Sequence, residues 1–183
     1  MRALIALLLF ANPGSAYAQY PWPYLPPYSG QYGGQYSGPY APPRSPPRSL
    51  TYAMLEAHNA IRNRVGVPPL AWSAQLAAVA QEWANHLIAT RGFSHRPNNR
   101  YGENIYAISG GAASPRQVVG VWANEVNGYD IRRNTCMGVC GHYTQIVWRT
   151  TRLVGCGIAT DAEREVWVCN YDPPGNIVGD RPY

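Results

Sequence analysis

Two apolar stretches near the C-terminus, LVGCGIAT (153–160) and REVWVCNY (164–171), flank a short polar turn at Asp161-Ala162-Glu163-Arg164. Their β-branched and aromatic content predicts a hairpin. With the pivot between residues 162 and 163, Cys156 stands directly opposite Cys169, within reach of a disulfide. The chain holds four cysteines. Pairing 156 with 169 therefore leaves Cys136 to pair with Cys140 across a small loop that contains Gly138. Four thiolates around one zinc ion is the rival arrangement. The absence of a C-x-x-C pair, and the export signal described next, count against it.

The chain opens with Met1-Arg2, an apolar run from Ala3 to Ala11, a break at Asn12-Pro13-Gly14 and the A-x-A site Ala16-Tyr17-Ala18. This pattern predicts a secretory signal peptide over 1–18, too short to span a bilayer. The mature chain is then expected in an oxidising compartment, extracellular or periplasmic, with no transmembrane segment left after cleavage. Residues 19–49 form a Pro/Tyr/Gly-rich linker with Tyr20, Tyr24, Tyr28, Tyr32, Tyr36 and Tyr40 at intervals of four. So much Pro and Gly forbids a helix, and the segment is expected to be disordered with polyproline-II stretches. It reads as a spacer. The other reading is a row of phenols that stacks on a cell-surface or cell-wall glycan or on a partner. The net charge is +5, all of its positive part arginine. No basic run exceeds two residues, so nucleic acid is not an expected partner. A monomer is expected.

The folded domain is expected over 50–183. Met54, Ala57, Ile61 and Val65 recur at helical spacing, and Gly66 ends the pattern. A second helix is expected over 74–91, capped by Ser73, with a stripe of Leu76, Val79 or Ala80, Trp83 and Leu87 and with Gly92 as its C-terminal cap. A third begins at Ser114-Pro115-Arg116-Gln117, a capping box with proline at the first position. Its stripe is Val118, Val121 and Trp122, and Glu125 projects from that same face. A carboxylate on a buried face requires a partner, as does His142 within GVCGHYTQIVW. Trp72, Trp83 and Trp122 read as core rather than as the wall of a ligand site. His58 reads as structural, hydrogen-bonded within HNAIR, and His86 as the edge of the second helix's stripe.

CGHYTQIVWRTT (140–151) and CNYDPPGNIVGDRPY (169–183), with HNAIR (58–62) and GEN (102–104), resemble the signatures of the CAP superfamily. That superfamily comprises cysteine-rich secretory proteins, venom antigen 5 and plant pathogenesis-related class-one proteins, and the likeness is to the plant type. The resemblance implies an α+β fold, a three-layer α-β-α sandwich with a small, mostly antiparallel sheet. It makes HYTQIVW a short helix, although composition alone would allow a strand. It supports the pairs Cys136–Cys140 and Cys156–Cys169, with one of the three bridges of plant relatives missing. It also implies a cleft holding His95, Glu103, Glu125 and His142. His95 and His142, with Glu103 and Glu125, could there bind a divalent metal such as zinc. Function by resemblance is lipid or sterol binding, or a defence role outside the cell. A metal-dependent hydrolase acting through the same four residues is the alternative. The terminal PPGNIVGDRPY resembles a peptide released as a defence signal in plant relatives, or it simply packs back on the domain.

Overall fold

The structure, a computed structural model, describes residues 49–183. The expected signal peptide over 1–18 and nearly all of the expected linker over 19–49 lie outside the described residues. Helix α1 (Leu50–Arg64) starts at Ser49, whose hydroxyl accepts from the Tyr52 N–H at 3.3 Å. It leads through β1 (Ala71–Trp72) into α2 (Ala74–Thr90), capped by Ser73, and β2 (Gly102–Ser109). Helix α3 (Pro115–Asn124) carries the full Ser114–Gln117 capping box and runs into a 3₁₀ turn, Glu125–Gly128. A small hairpin of β3 (Tyr129–Asp130) and β4 (Thr135–Cys136) follows, then α4 (Gly141–Ile146), β5 (Leu153–Thr160) and β6 (Arg164–Asp172). HYTQI is helical.

The main sheet has the order β1-β5-β6-β2. Only β1 runs parallel to its neighbour, and Cys156 faces Cys169 across β5 and β6. Both disulfides, Cys136–Cys140 and Cys156–Cys169, are formed. Alternation along β6 sends successive side chains to opposite faces and so to two separate cores. Val166 and Val168 pack with Ile105 under Ala80, Ala84 and Leu87 of α2. Trp167, Cys169 and Tyr171 pack with Met54, Ile61, Val118, Trp122, Tyr143 and Ile146 of α1, α3 and α4. The architecture is an α-β-α sandwich. Helix α2 approaches β5 so closely that a Cβ on Gly155 or Gly157 would collide with the helix backbone at Ala77 or Gln81.

Two local expectations shift. Helix α3 buries Val118, Val119 and Trp122, while Val121 is 52 % exposed. A 3.6-residue period allows two overlapping stripes through Val118 and Trp122, and packing selects the one with Val119. Helix α2 ends one residue early. Arg91, not Gly92, takes the left-handed conformation (φ 54°), and its guanidinium pairs with Glu163 at 2.7 Å. The terminal segment does pack back: Pro182 is buried, its carbonyl accepts from the Arg149 N–H at 2.7 Å, and the Tyr183 and Tyr143 hydroxyls meet at 2.8 Å.

The face of α1 turned to the core is only half apolar, because it buries Met54, His58, Ile61 and Arg62. Arg62 is fully buried and meets backbone carbonyls rather than a carboxylate. It donates to Pro68 (2.6 Å), Ile146 and Trp148 (2.8 Å each) and Thr151 (3.1 Å). Burial lowers its pKa to about 10, which leaves it charged at neutral pH. Truncating it would strand several carbonyls, each costing on the order of 1 kcal/mol or more. We expect Arg62→Met to lose about 3 kcal/mol or more in urea unfolding, with Arg62→Lys recovering less than half because an ammonium lacks the planar fork. Wild-type stability in Arg62→Met would refute this role.

Candidate functional site

The stranded Glu125 sits where α3 passes into the 3₁₀ turn, and its carboxylate meets the start of α4. Its Oε2 accepts from the N–H groups of His142 (2.9 Å) and Tyr143 (3.3 Å), and its Oε1 from the His142 ring at Nδ1 (2.6 Å). A carboxylate at this position satisfies free amide groups of the helix and orients the imidazole together. The His142 ring lies over Trp122, with centroids 6.0 Å apart and planes 16° from parallel.

The second pair is built on the edge strand. Glu103, near the start of β2, has a side chain only 4 % exposed, whereas that of His95, in the loop after α2, is 61 % exposed. Glu103 Oε1 accepts from His95 Nδ1 (2.8 Å) and the Arg96 N–H (3.0 Å), and Oε2 from Asn99 Nδ2 (3.2 Å). Asn99 also donates to the buried Asn170, whose own Nδ2 has no protein partner. The hydrogen bond to Glu103 raises the His95 pKa above its ordinary value, against the opposing effect of partial burial.

The sequence reading placed His95, Glu103, Glu125 and His142 in one cleft. The structure gives two dyads, His95–Glu103 and His142–Glu125, with Asn104 tying the second to the strand that carries the first. Asn104 Nδ2 donates to the His142 carbonyl and to the Tyr171 hydroxyl, at 3.1 Å each. Both imidazoles use Nδ1 on a carboxylate. In the neutral form that leaves the Nε2 lone pair outward, the tautomer that metal-binding histidines present. Among the described residues no three His, Cys, Asp or Glu side chains gather closely enough to hold an ion. All four cysteines are in disulfides, so none is a free thiol.

Three polar neighbours of the dyads escaped the sequence reading: Asn99, Asn104 and Asn170. Asn104 was open to detection, since it stands inside the GEN motif beside Glu103. His58 is structural, but its partners lie outside HNAIR. Its Nδ1–H donates to the Met54 carbonyl (2.7 Å) and its Nε2 accepts from Tyr171 (2.8 Å). Complete burial drives its pKa down to about 4, with the nearby Arg62 charge acting in the same direction and the Met54 bond opposing. His86 is exposed and stacks on Trp83 at 4.5 Å. Trp122 is core, and Trp72 and Trp83 are partly buried against the two cores.

An α-β-α sandwich with paired His–Glu dyads on α4 and the sheet edge defines a class, and comparison with known proteins gives it a name. Residues 55–171 match the family described as CAP, the cysteine-rich secretory protein family, and the chain belongs to it. Pathogenesis-related protein 1 of Arabidopsis thaliana is 43 % identical over 130 residues, 70 % of this chain and 80 % of that protein. Pathogenesis-related protein 1A of Nicotiana tabacum is 45 % identical over 132 residues, 70 % and 78 % of the two chains. Among solved structures, Schistosoma mansoni venom allergen-like protein 4 aligns with a TM-score of 0.61 at 28 % identity, covering 74 % of this chain and 94 % of that one. NaASP2 with Zn2+ shares the fold at a TM-score of 0.64 and 23 % identity, covering 79 % and 90 %.

Two titrations test the electrostatics, with opposite signs. The folded pKa of His58 lies below the ordinary 6.5, so the unfolded chain binds a proton that the folded chain refuses. Its contribution is complete above pH 6.5 and is lost as pH falls toward 4, by about 3 kcal/mol in all. Urea unfolding should show this slope, and His58→Gln should flatten it; an unchanged slope would place the acid sensitivity elsewhere. His95 has a raised folded pKa, so its pair with Glu103 contributes below pH 6.5 and fades as pH rises through the folded value. Imidazole NMR should show Glu103→Gln lowering the His95 pKa; no movement would deny the charge coupling.

Proposed function

We propose that this is a secreted, defence-related binding protein that holds a lipid or sterol outside the cell. The observation that carries this reading is an apolar cavity of about 150 Å³ lined by Ile61, Arg64, Val65, Ala123, Val126 and Tyr143. It lies where α1, α3 and α4 meet, on the side of the sheet that carries His142. Pockets for whole small molecules are usually about 300–1,000 Å³, so this one suits the end of an acyl chain or one edge of a sterol. The rest of the ligand would lie along the partly exposed Val126. Support for the defence role comes from relatives named as pathogenesis-related proteins. Support for export comes from the N-terminal signal pattern, and among the described residues no helix is long and apolar enough to cross a membrane.

A divalent ion such as zinc belongs to the same proposal. His95 and His142 would hold it through Nε2, with Glu103 and Glu125 fixing the two rings. When bound, such an ion supplies a Lewis-acid centre. Because the proton on His95 is strengthened by Glu103, metal binding should weaken as pH falls.

The lipid reading is tested by loading the purified secreted chain with labelled cholesterol and, separately, labelled palmitate, with and without chelator. Ala123→Phe, which fills the cavity, should weaken retention by about tenfold, on the order of 1.4 kcal/mol. His142→Ala and chelator should leave it nearly unchanged. Retention lost with chelator but kept in Ala123→Phe would move the ligand to the dyads.

A further inference from the structure

Exposed apolar side chains are concentrated at one pole. Of the ten large apolar side chains exposed among the described residues, six are Val126, Ile131, Met137, Val139, Ile177 and Val178. Met137 is 72 %, Val139 69 % and Val178 100 % exposed. Five of them come from three segments fastened to one another, and Val126 comes from the 3₁₀ turn just before the first of these. The β3–β4 hairpin is closed by Asp130 Oδ1, which accepts from the N–H groups of Arg132 (2.9 Å) and Arg133 (3.1 Å). The following loop, Cys136-Met-Gly-Val-Cys140, is shut by its disulfide and anchored by the Met137 N–H to the Gly128 carbonyl at 2.7 Å. The terminal segment is tied to the hairpin and to the first residue of α4, directly after the loop. Asn134 Nδ2 donates to the Asp180 carbonyl (3.0 Å), Arg181 to the carbonyls of Ile131 and Arg132, and Asn176 Nδ2 to the Gly141 carbonyl (2.9 Å).

The charge around these tips is biased. Arg132, Arg133, Arg149 and Arg181 are exposed on the same segments or beside them, against Asp130 and Asp180. Asp130 is already engaged, by the two turn amides and by Arg133 at 3.9 Å. Aliphatic and Met side chains at the ends of braced loops, ringed by arginine, suit insertion at an anionic lipid interface, where the apolar tips leave water and the cations meet phosphate. Arginines near a negatively charged leaflet gain roughly a fivefold increase in affinity each.

We infer that this pole, formed by the β3–β4 hairpin, the Cys136–Cys140 loop and the terminal segment around Val178, docks the protein onto the surface of an anionic phospholipid bilayer. Met137, Val139 and Val178 enter the headgroup–acyl boundary, and Arg132, Arg133 and Arg149 pair with lipid phosphates, while Arg181 stays on the Ile131 and Arg132 carbonyls. Docking is separate from filling the cavity beside α1, although Val126 borders both, so a surface-held protein would present that cavity to the membrane.

The test is co-sedimentation of the full secreted chain with large vesicles of phosphatidylcholine alone or with 30 % phosphatidylglycerol. Neither preparation contains sterol. In about 50 mM salt, partitioning should be at least about tenfold greater on the anionic vesicles and should fall steeply by about 500 mM. The double variant Met137→Asp/Val139→Asp and, independently, Val178→Asp should each abolish the gain while thermal midpoint and circular dichroism stay at wild type. Arg132→Ser/Arg133→Ser should weaken binding by about tenfold or more. Ala123→Phe should bind vesicles normally even where it fails to retain lipid, which separates this proposal from the cavity reading. No preference for anionic vesicles, or preference that survives the Asp variants, overturns it. A dimer in sedimentation velocity that the Asp variants dissolve would also overturn it and assign the pole to a second copy of the chain.

Discussion

Helix α4 is six residues long and would not persist alone in water, since a helix that short cannot offset its own nucleation. It persists because charged side chains from two other helices hold its two ends. Glu125, at the end of α3, occupies the amide end, and Arg62, from α1, occupies the Ile146 carbonyl and those of the following loop. Anion at the amino end and cation at the carboxyl end match the direction of the peptide dipoles. The position of His142 follows from this double grip. So does the cavity, whose wall includes Tyr143. The helix that bears the candidate chemistry is therefore specified by long-range contacts far more than by its own residues.

This explains what could be read from the sequence and what could not. The β5–β6 hairpin, with Cys156 opposite Cys169, was legible because alternation, turn and cysteine spacing are local. The Ser73 and Ser114 caps were legible for the same reason. The helical state of HYTQI was not, because this run and the Val147 that follows suit a strand equally well and the decision rests with Arg62 and Glu125; resemblance alone supplied it. The buried face of α1 was half legible. Met54 and Ile61 follow the apolar period, but His58 and Arg62 occupy the same stripe, and a hydrophobic pattern does not register polar residues that also need partners more than eighty positions away. Glu125 was readable as a carboxylate in need of a partner. That its partner is His142, while Glu103 takes His95, depends on where α3 ends and where β2 begins its pairing with β6.

The two sides of the sheet are held by different physics. Beneath α2 the contact is close packing of small residues over Gly155 and Gly157, with an aliphatic core. On the other side a polar chain runs through the interior, from the Met54 carbonyl to His58, Tyr171 and Asn104 and on to the backbone of His142. Buried polar chains of this kind are costly when broken and orienting when complete. Burial also raises the Tyr171 pKa well above its usual value, so its hydroxyl keeps its proton for His58 across the neutral range. The layer that carries the dyad on α4 and the cavity is thus also the layer most exposed to perturbation by acid.

The bond between Cys156 and Cys169 joins neighbouring strands at directly facing positions, with Cα atoms 4.1 Å apart. So short a covalent circuit removes less disorder from the unfolded chain than a long one would. Its larger consequence is for mispairing. A slip of one residue would exchange the inward and outward sets of β6, setting Trp167 and Tyr171 against α2 and Val166 and Val168 among the polar groups below α1. With the two sulfurs joined, that alternative alignment is closed to the chain.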